Sequence, residues 1–170
     1  MYFFDYFLPM QCKNYFWDSI ILGMHDAIVS TIGLITGLVF ASASAHVVLL
    51  TGIIASCSAA LSMAASQYLA KHENNSEIAI WHGMSTGIAY LFTASMLLIP
   101  FLLINNPFIA ITMTYITAIA IIFFFNFIKS KLCGTQFWSC LARMLIICAA
   151  VTSIAFLIGE GAKLFLGIEI

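Results

Sequence analysis

One carboxylate stands in a stretch of this sequence that is otherwise apolar enough to lie in hydrocarbon. The stretch reads "ILGMHDAIVSTIGLITG" over residues 21–37, and its ionisable pair is His25 and Asp26. A charged side chain at the centre of a membrane helix costs about 2.5–3.5 kcal/mol on permissive scales, so such residues usually serve a function. Asp26 either reaches the lipid headgroups as an interfacial residue or faces a wet, protein-lined path in which it binds a cation.

Helix geometry favours the wet path. At 100° per residue, Asp26 shares a helix face with Ser30, Gly33 and Gly37, and this face is small and hydroxylated. Water or a cation therefore has room beside the backbone. The G-x-x-x-G spacing of Gly33 and Gly37 also allows close helix approach, either within one chain or between two copies.

A possible second ligand lies in "ALSMAASQYLA", where Met63 and Gln67 stand among small residues. The two are four residues apart and share a helix face. Thioether sulfur is a soft ligand, whereas carboxylate and water suit harder ions. A site made of Asp26 and Met63 would therefore suit a borderline ion such as Fe(II). The alternative for Met63 is a side chain that only fills the core.

Metal-ligand side chains also occur in the polar segment "KHENNSEIAIWHG". They are His72, Glu73, Glu77 and His82, and the commoner meaning of such a segment is a solvated connector. Ser76 occupies the position of the second histidine in an H-E-x-x-H motif, so no metalloprotease site is predicted. Neither a nucleophile–base spacing nor a phosphate loop is present, and we therefore do not predict an enzyme.

Membrane helices are the elements that must position these residues. Of 170 residues, 63% are hydrophobic and 8% are charged, whereas soluble domains have about 25% charged residues. Stretches of roughly 20 apolar residues cross a bilayer as helices, and the period-two alternation of membrane strands is missing. We predict an all-α polytopic membrane protein with one five-helix domain over residues 1–170. The predicted spans are about 20–40, 46–69, 84–104, 108–127 and 138–157 or longer, and Pro100 is expected to kink or end the third.

Charge predicts the orientation and excludes one class of partner. Five of the six basic residues lie at the membrane side shared with the N-terminus. The positive-inside rule then puts the N-terminus in the cytosol and the C-terminus outside or in a lumen. A net charge of −1 without a basic cluster predicts no nucleic-acid partner. The residue usage favours a bacterial inner membrane, with an organellar membrane as the alternative.

Two stretches, "LGMHDAIVSTIGLITG" and "LLTGIIASCSAALSMAASQYLA", resemble the first two spans of the vacuolar iron transporter family. The family signature reads roughly G-x-x-D-G-[LI]-[VT]-S-T-x-[AG]-L-x-x-G, followed later by S-M-A-x-G-E-Y. The segment "ARMLIICAAVTSIAFLIGEGAKLFLG" is similar to the last span of that family. The short connector between the second and third spans resembles the nodulin-like members, which lack a cytosolic metal-binding domain.

This resemblance implies a homodimer of five-helix subunits in a lipid bilayer. It implies export of Fe(II), and in many members Mn(II), from the cytosol in exchange for protons. The path is expected between subunits, with Asp26 and Met63 as ligands. Metal ions are then the transported cargo, and no permanently bound cofactor is expected.

The sequence departs from the family pattern at positions that affect charge balance. Ala55 and Gln67 stand where relatives often carry glutamate, and His25 stands where they often carry Asn or Ser. Proton coupling therefore does not follow from the resemblance. We expect His25, Ser30 and Gln67 as auxiliary residues of the path. The alternative function is a non-transporting membrane metal sensor or assembly partner that retains the transporter fold.

Overall fold

Five long α-helices make up the chain in a computed structural model, which describes residues 15–72, 76–133 and 136–166. The helices are α1 (Tyr15–Phe40), α2 (Ala45–His72), α3 (Ser76–Leu103), α4 (Pro107–Cys133) and α5 (Phe137–Leu166). No strand occurs in these three ranges, and all five helices are long and apolar enough to cross a membrane. The predicted all-α fold with five spans is confirmed, and the chain is an integral multi-pass membrane protein.

The third helix differs most from its predicted bounds. It begins at Ser76 and not near residue 84, because a helix can continue with polar residues beyond the apolar segment that hydropathy detects. It also runs through Pro100 and ends at Leu103, so the proline does not end it at once. Pro100 is buried, and its carbonyl still accepts the Ile104 N–H at 2.9 Å. Packing against neighbouring helices makes such a proline tolerable in a membrane span.

Close glycine contacts hold α1, α2 and α3 together. A Cβ atom at Gly83 of α3 would lie 2.6 Å from the Ala64 carbonyl oxygen of α2. Gly23 of α1 likewise has no space for a side chain, because the Thr86 backbone of α3 lies against it. Helices surrounded by lipid associate largely through such close packing. These contacts therefore determine how side chains of the three helices face one another.

Helix α5 packs against the other side of α1. A Cβ atom at Gly159 would lie 2.5 Å from the Gly37 carbonyl oxygen, and one at Gly33 would lie 3.0 Å from Val151 Cγ1. Gly33 and Gly37 thus face α5 of the same chain. Helix α4 completes the bundle around a core of side chains from α1, α3, α4 and α5. Its members include Met24, Ile28, Leu97, Ile122 and Met144.

Candidate functional site

Ionisable and hydroxylated side chains line an open groove between α1 and α2, with α3 as its floor. We call this groove the α1–α2 seam. A cavity lined by Asp18 and Leu22 of α1, Gln67 and Lys71 of α2 and His82 of α3 defines its wider end. Helical spacing extends the walls to Asp26 and Ser30 of α1 and to Met63 of α2, beside the buried Tyr90 of α3. Each wall repeats every four residues, which keeps its members on one helix face.

Asp26 lies well inside the first span. It follows Trp17, where the span begins, by nine residues, or about 14 Å along the helix axis. Its side chain is exposed on the surface of the single chain. The carboxylate is close enough to Tyr90 to act on it electrostatically. A carboxylate facing hydrocarbon at this depth is costly, so water or protein must cover it.

A chain of hydroxyl contacts joins α1 to α3 beside Asp26. The Ser30 hydroxyl donates to the Asp26 carbonyl oxygen at 2.6 Å, and the Tyr90 hydroxyl lies 2.6 Å from the same Ser30 oxygen. Serine has a single hydroxyl proton, so Tyr90 is the donor in the second contact. Tyr90 is only 2% exposed. Sequence reasoning missed Tyr90; the available signal was a tyrosine deep inside a span, away from the interfaces where tyrosines usually collect.

Met63 lies on the opposite wall of the seam. It is half-buried and packs against a cluster that contains Ala27, the neighbour of Asp26, together with Tyr90. Met63 precedes His72, the end of the second span, by nine residues, which is again about 14 Å along the axis. The fold therefore places Asp26 and Met63 at a similar depth beside one cluster of buried residues.

A polar cavity of about 240 Å³ lies in the seam near the start of α1 and α3 and the end of α2. Its lining residues are Asp18, Ser19, Leu22, Gln67, Lys71 and His82. His82 is 5% exposed, and its Nδ1 lies 2.5 Å from the Ser19 hydroxyl oxygen. Gln67 and His82, which were predicted in two different groups, thus line the same cavity.

The predicted loop location of several candidates is wrong. His72 is the last residue of α2, with its ring centroid 5.0 Å from that of Tyr68, and Glu77 lies in the first turn of α3. His82 lies further along α3. The reason is that α2 and α3 extend past their apolar segments, which leaves little loop between them. Glu73 lies outside the described residues.

His25 does not join the seam. It is close enough to Lys129 of α4 for an electrostatic interaction. Consecutive residues of a helix are 100° apart, so His25 and Asp26 face different neighbours. Over the described ranges, no three His, Cys, Asp or Glu side chains converge on a common point that could hold a metal ion. Any ion in the seam of a single chain therefore relies on other donors as well.

Comparison with known proteins gives a family match over the helices that line this groove. Residues 17–80 match the sequence model of the VIT family, and this segment contains both walls of the α1–α2 seam. The match covers less than half of the chain, and over this segment the chain is similar to the VIT family, in agreement with the resemblance stated from the sequence. A match to this family suggests membrane transport of metal ions in general; its members are transporters and not enzymes. A comparison with curated proteins found no match.

Proposed function

We propose that two copies of this chain form a carrier that exports Fe(II), and also Mn(II), from the cytosol in exchange for protons. The observation that supports this most directly is the position of Asp26, which is exposed about 14 Å inside a span. A second copy placed over the seam would remove this carboxylate from lipid. Two seams facing each other would then form a closed, water-filled path.

The ligand chemistry of such a pair suits a borderline ion. Two copies supply two carboxylates from Asp26 and two thioethers from Met63, which offsets the neutral Ala55 and Gln67. Carboxylate binds Fe(II) and Mn(II), and the thioether favours the softer Fe(II). When the ion leaves, a carboxylate of the site can take a proton. This step would couple metal export to proton movement.

The positive-inside rule supports an orientation with the N-terminus in the cytosol. Lys71, Lys129, Lys131 and Arg143 lie near the end of the bundle where α1 begins. We assign this end to the cytosol, and the cavity that contains Gln67 and His82 then opens on the side from which metal enters. A bacterial inner membrane is the proposed location.

Substitution of Asp26 by asparagine is the central experiment. The purified protein is reconstituted in liposomes, and anaerobic Fe(II) flux and Mn(II) flux are measured under an imposed pH gradient. Loss of a charged ligand costs about 3 kcal/mol, so Asp26→Asn should reduce flux about 100-fold or more. The variant should keep its oligomeric state in size-exclusion chromatography.

Glu160→Gln is the matched control, because it removes the same charge from α5 outside the seam. It should retain flux. Undiminished flux in Asp26→Asn would contradict the proposal. Metal binding without flux in the unaltered protein would instead identify a metal sensor that retains the transporter fold.

A further inference from the structure

The polar cavity of the seam lies one helical turn from Asp26 and does not contain it. We propose that this cavity is a first station for a divalent cation, which binds there with part of its water shell before it passes Leu22 and reaches Asp26. This inference rests on the proposed function, because it assumes that the seam carries a metal ion. It assigns a binding role to His82 and Gln67 that is separate from the Asp26 and Met63 site.

His82 is the main donor of this station. Its Nδ1 lies 2.5 Å from the Ser19 hydroxyl oxygen, and His82 is one of the residues that line the cavity. In the tautomer with a proton on Nδ1, His82 donates to Ser19 and keeps the Nε2 lone pair for a ligand. Metal-binding histidines commonly hold their other ring nitrogen in this way, which orients the ring. Imidazole nitrogen also suits first-row divalent ions.

The size and composition of the cavity indicate weak binding of a partly hydrated ion. A water molecule occupies about 30 Å³ in the liquid, so about 240 Å³ holds an ion together with several waters. The Gln67 side chain offers a neutral amide oxygen, and Asp18 adds a carboxylate to the wall. Because the described part of the chain supplies few donors to this cavity, we expect water to complete the coordination shell. Weak binding suits a transport path, because an ion must leave each station as well as enter it.

Leu22 separates the two stations. It borders the cavity and lies midway between Asp18 and Asp26 on one helix face. Four residues correspond to about 6 Å along the helix. An ion that moves from the cavity to Asp26 must therefore pass an apolar side chain and lose water there. This order of events lets the cavity collect ions and leaves selection to Asp26 and Met63.

Lys71 allows a test of whether the ion bound in the cavity is positively charged. Its ammonium group belongs to the cavity wall and should repel a cation bound there. Lys71→Gln should lower the KM for Mn(II) transport about threefold if a cation occupies the cavity. Lys131→Gln is the matched control, because it removes the same charge from the same end of the bundle but outside the cavity. It should leave the KM unchanged.

Two substitutions of His82 separate ligation from packing. Asparagine can keep the hydrogen bond to Ser19 but removes the outer ring nitrogen, whereas glutamine can place an amide oxygen near the position of Nε2. His82→Asn should raise the KM about three- to tenfold, as expected for the loss of one neutral ligand, and His82→Gln should raise it less. His46→Asn, at the opposite end of α2, is the control.

Mn(II) binding measured by electron paramagnetic resonance on the Asp26→Asn protein completes the test. Binding should remain in Asp26→Asn, weaken in Asp26→Asn with His82→Asn, and strengthen in Asp26→Asn with Lys71→Gln. Loss of all binding in Asp26→Asn would overturn the first station. The same holds if Lys71→Gln and His82→Asn both keep the KM of the unaltered protein. Normal flux in Asp26→Asn would instead overturn the proposed function, whatever the cavity binds.

Discussion

Helix α1 borders two open grooves with opposite chemistry. Its N-terminal part, up to Ser30, contributes Asp18, Asp26 and Ser30 to the α1–α2 seam. Its second half borders a groove of about 490 Å³ against α5, and every residue that lines this groove is apolar. We call the latter the α1–α5 groove; Gly37 and Gly159 are among its residues. The average hydropathy of α1 does not reveal this division, because the polar residues of the seam and the apolar residues of the groove belong to one span.

Under the proposed function, the difference indicates which groove would conduct an ion. A cation needs oxygen, nitrogen or sulfur donors and water along its route, and the seam offers them from its wide cavity up to Asp26 and Met63. The α1–α5 groove offers only hydrocarbon, so it suits helix packing or contact with lipid chains. Substitutions in the seam should therefore change transport, and equivalent substitutions in the α1–α5 groove should change stability alone.

Glycine substitutions should give the largest effect in this comparison. Gly83→Ala, where α3 contacts α2, and Gly159→Ala, in the α1–α5 groove, each place a Cβ atom too close to a carbonyl oxygen of a neighbouring helix. Each should lower the free energy of unfolding by about 1–3 kcal/mol, since overpacking forces backbones apart. Only Gly83→Ala should also reduce flux per folded protein, because it shifts α2, and with it Met63, relative to α3.

Thermal unfolding in detergent and flux normalised to folded protein are the two measurements. Gly161→Ala is the control, because a Cβ atom there meets nothing within 4 Å. It should leave stability unchanged or slightly raised, since alanine favours a helix more than glycine does. An equal loss of flux in Gly159→Ala and Gly83→Ala would contradict the division of α1 into a conducting and a packing half.

The methionine of the seam should affect selectivity more than stability. Met63→Leu keeps the side-chain volume and removes the sulfur. We expect the ratio of Fe(II) flux to Mn(II) flux to fall about fivefold, which corresponds to about 1 kcal/mol of preference for the softer ion. Competition between the two ions in liposomes measures this ratio.

Met113→Leu is the matched control, because Met113 is exposed on α4 outside the seam. Its substitution should leave the ratio unchanged. If Met63→Leu reduced both fluxes by the same factor, Met63 would act in packing and not as a ligand. The packing role was the alternative that the sequence left open.

Sequence reasoning found the helices and selected Asp26 and Met63 as candidates because both depend on local patterns. Long apolar segments reveal spans directly, and Asp26 and Met63 stand out as unusual residues within them. The predicted start of the third span lies about two turns after the observed start of α3. Hydropathy detects the membrane-buried part of a helix and not its polar extension. Polar residues such as Glu77 were therefore assigned to a loop.

The contacts across the seam could not be predicted in the same way. Gln67 and His82 line one cavity because Gly83 lets α3 approach Ala64 of α2 closely. Tyr90 reaches Ser30 for the related reason that α1 and α3 approach at Gly23. Such crossings depend on two helices at once, and the periodicity of either one alone does not reveal them.

The smallest expected effect comes from two tyrosines that bind α1 in the same manner. Tyr90 lies 2.6 Å from the Ser30 hydroxyl in the seam, and Tyr115 lies 2.8 Å from the Thr36 hydroxyl outside it. Thr36 donates to the Ile32 carbonyl, so Tyr115 is the donor in its pair, as Tyr90 is in the other. Removing either tyrosine hydroxyl should cost about 1 kcal/mol of unfolding free energy.

Transport should distinguish the two variants, because only Tyr90 lies beside Asp26. Tyr90→Phe should lower flux about two- to fivefold, since Ser30 loses the contact that holds this part of α1 against α3. Tyr115→Phe should show the same loss of stability with unchanged flux per folded protein. Equal fluxes in the two variants would mean that the hydroxyl chain beside Asp26 only supports the fold, and the conducting surface of the seam would then be limited to its two walls.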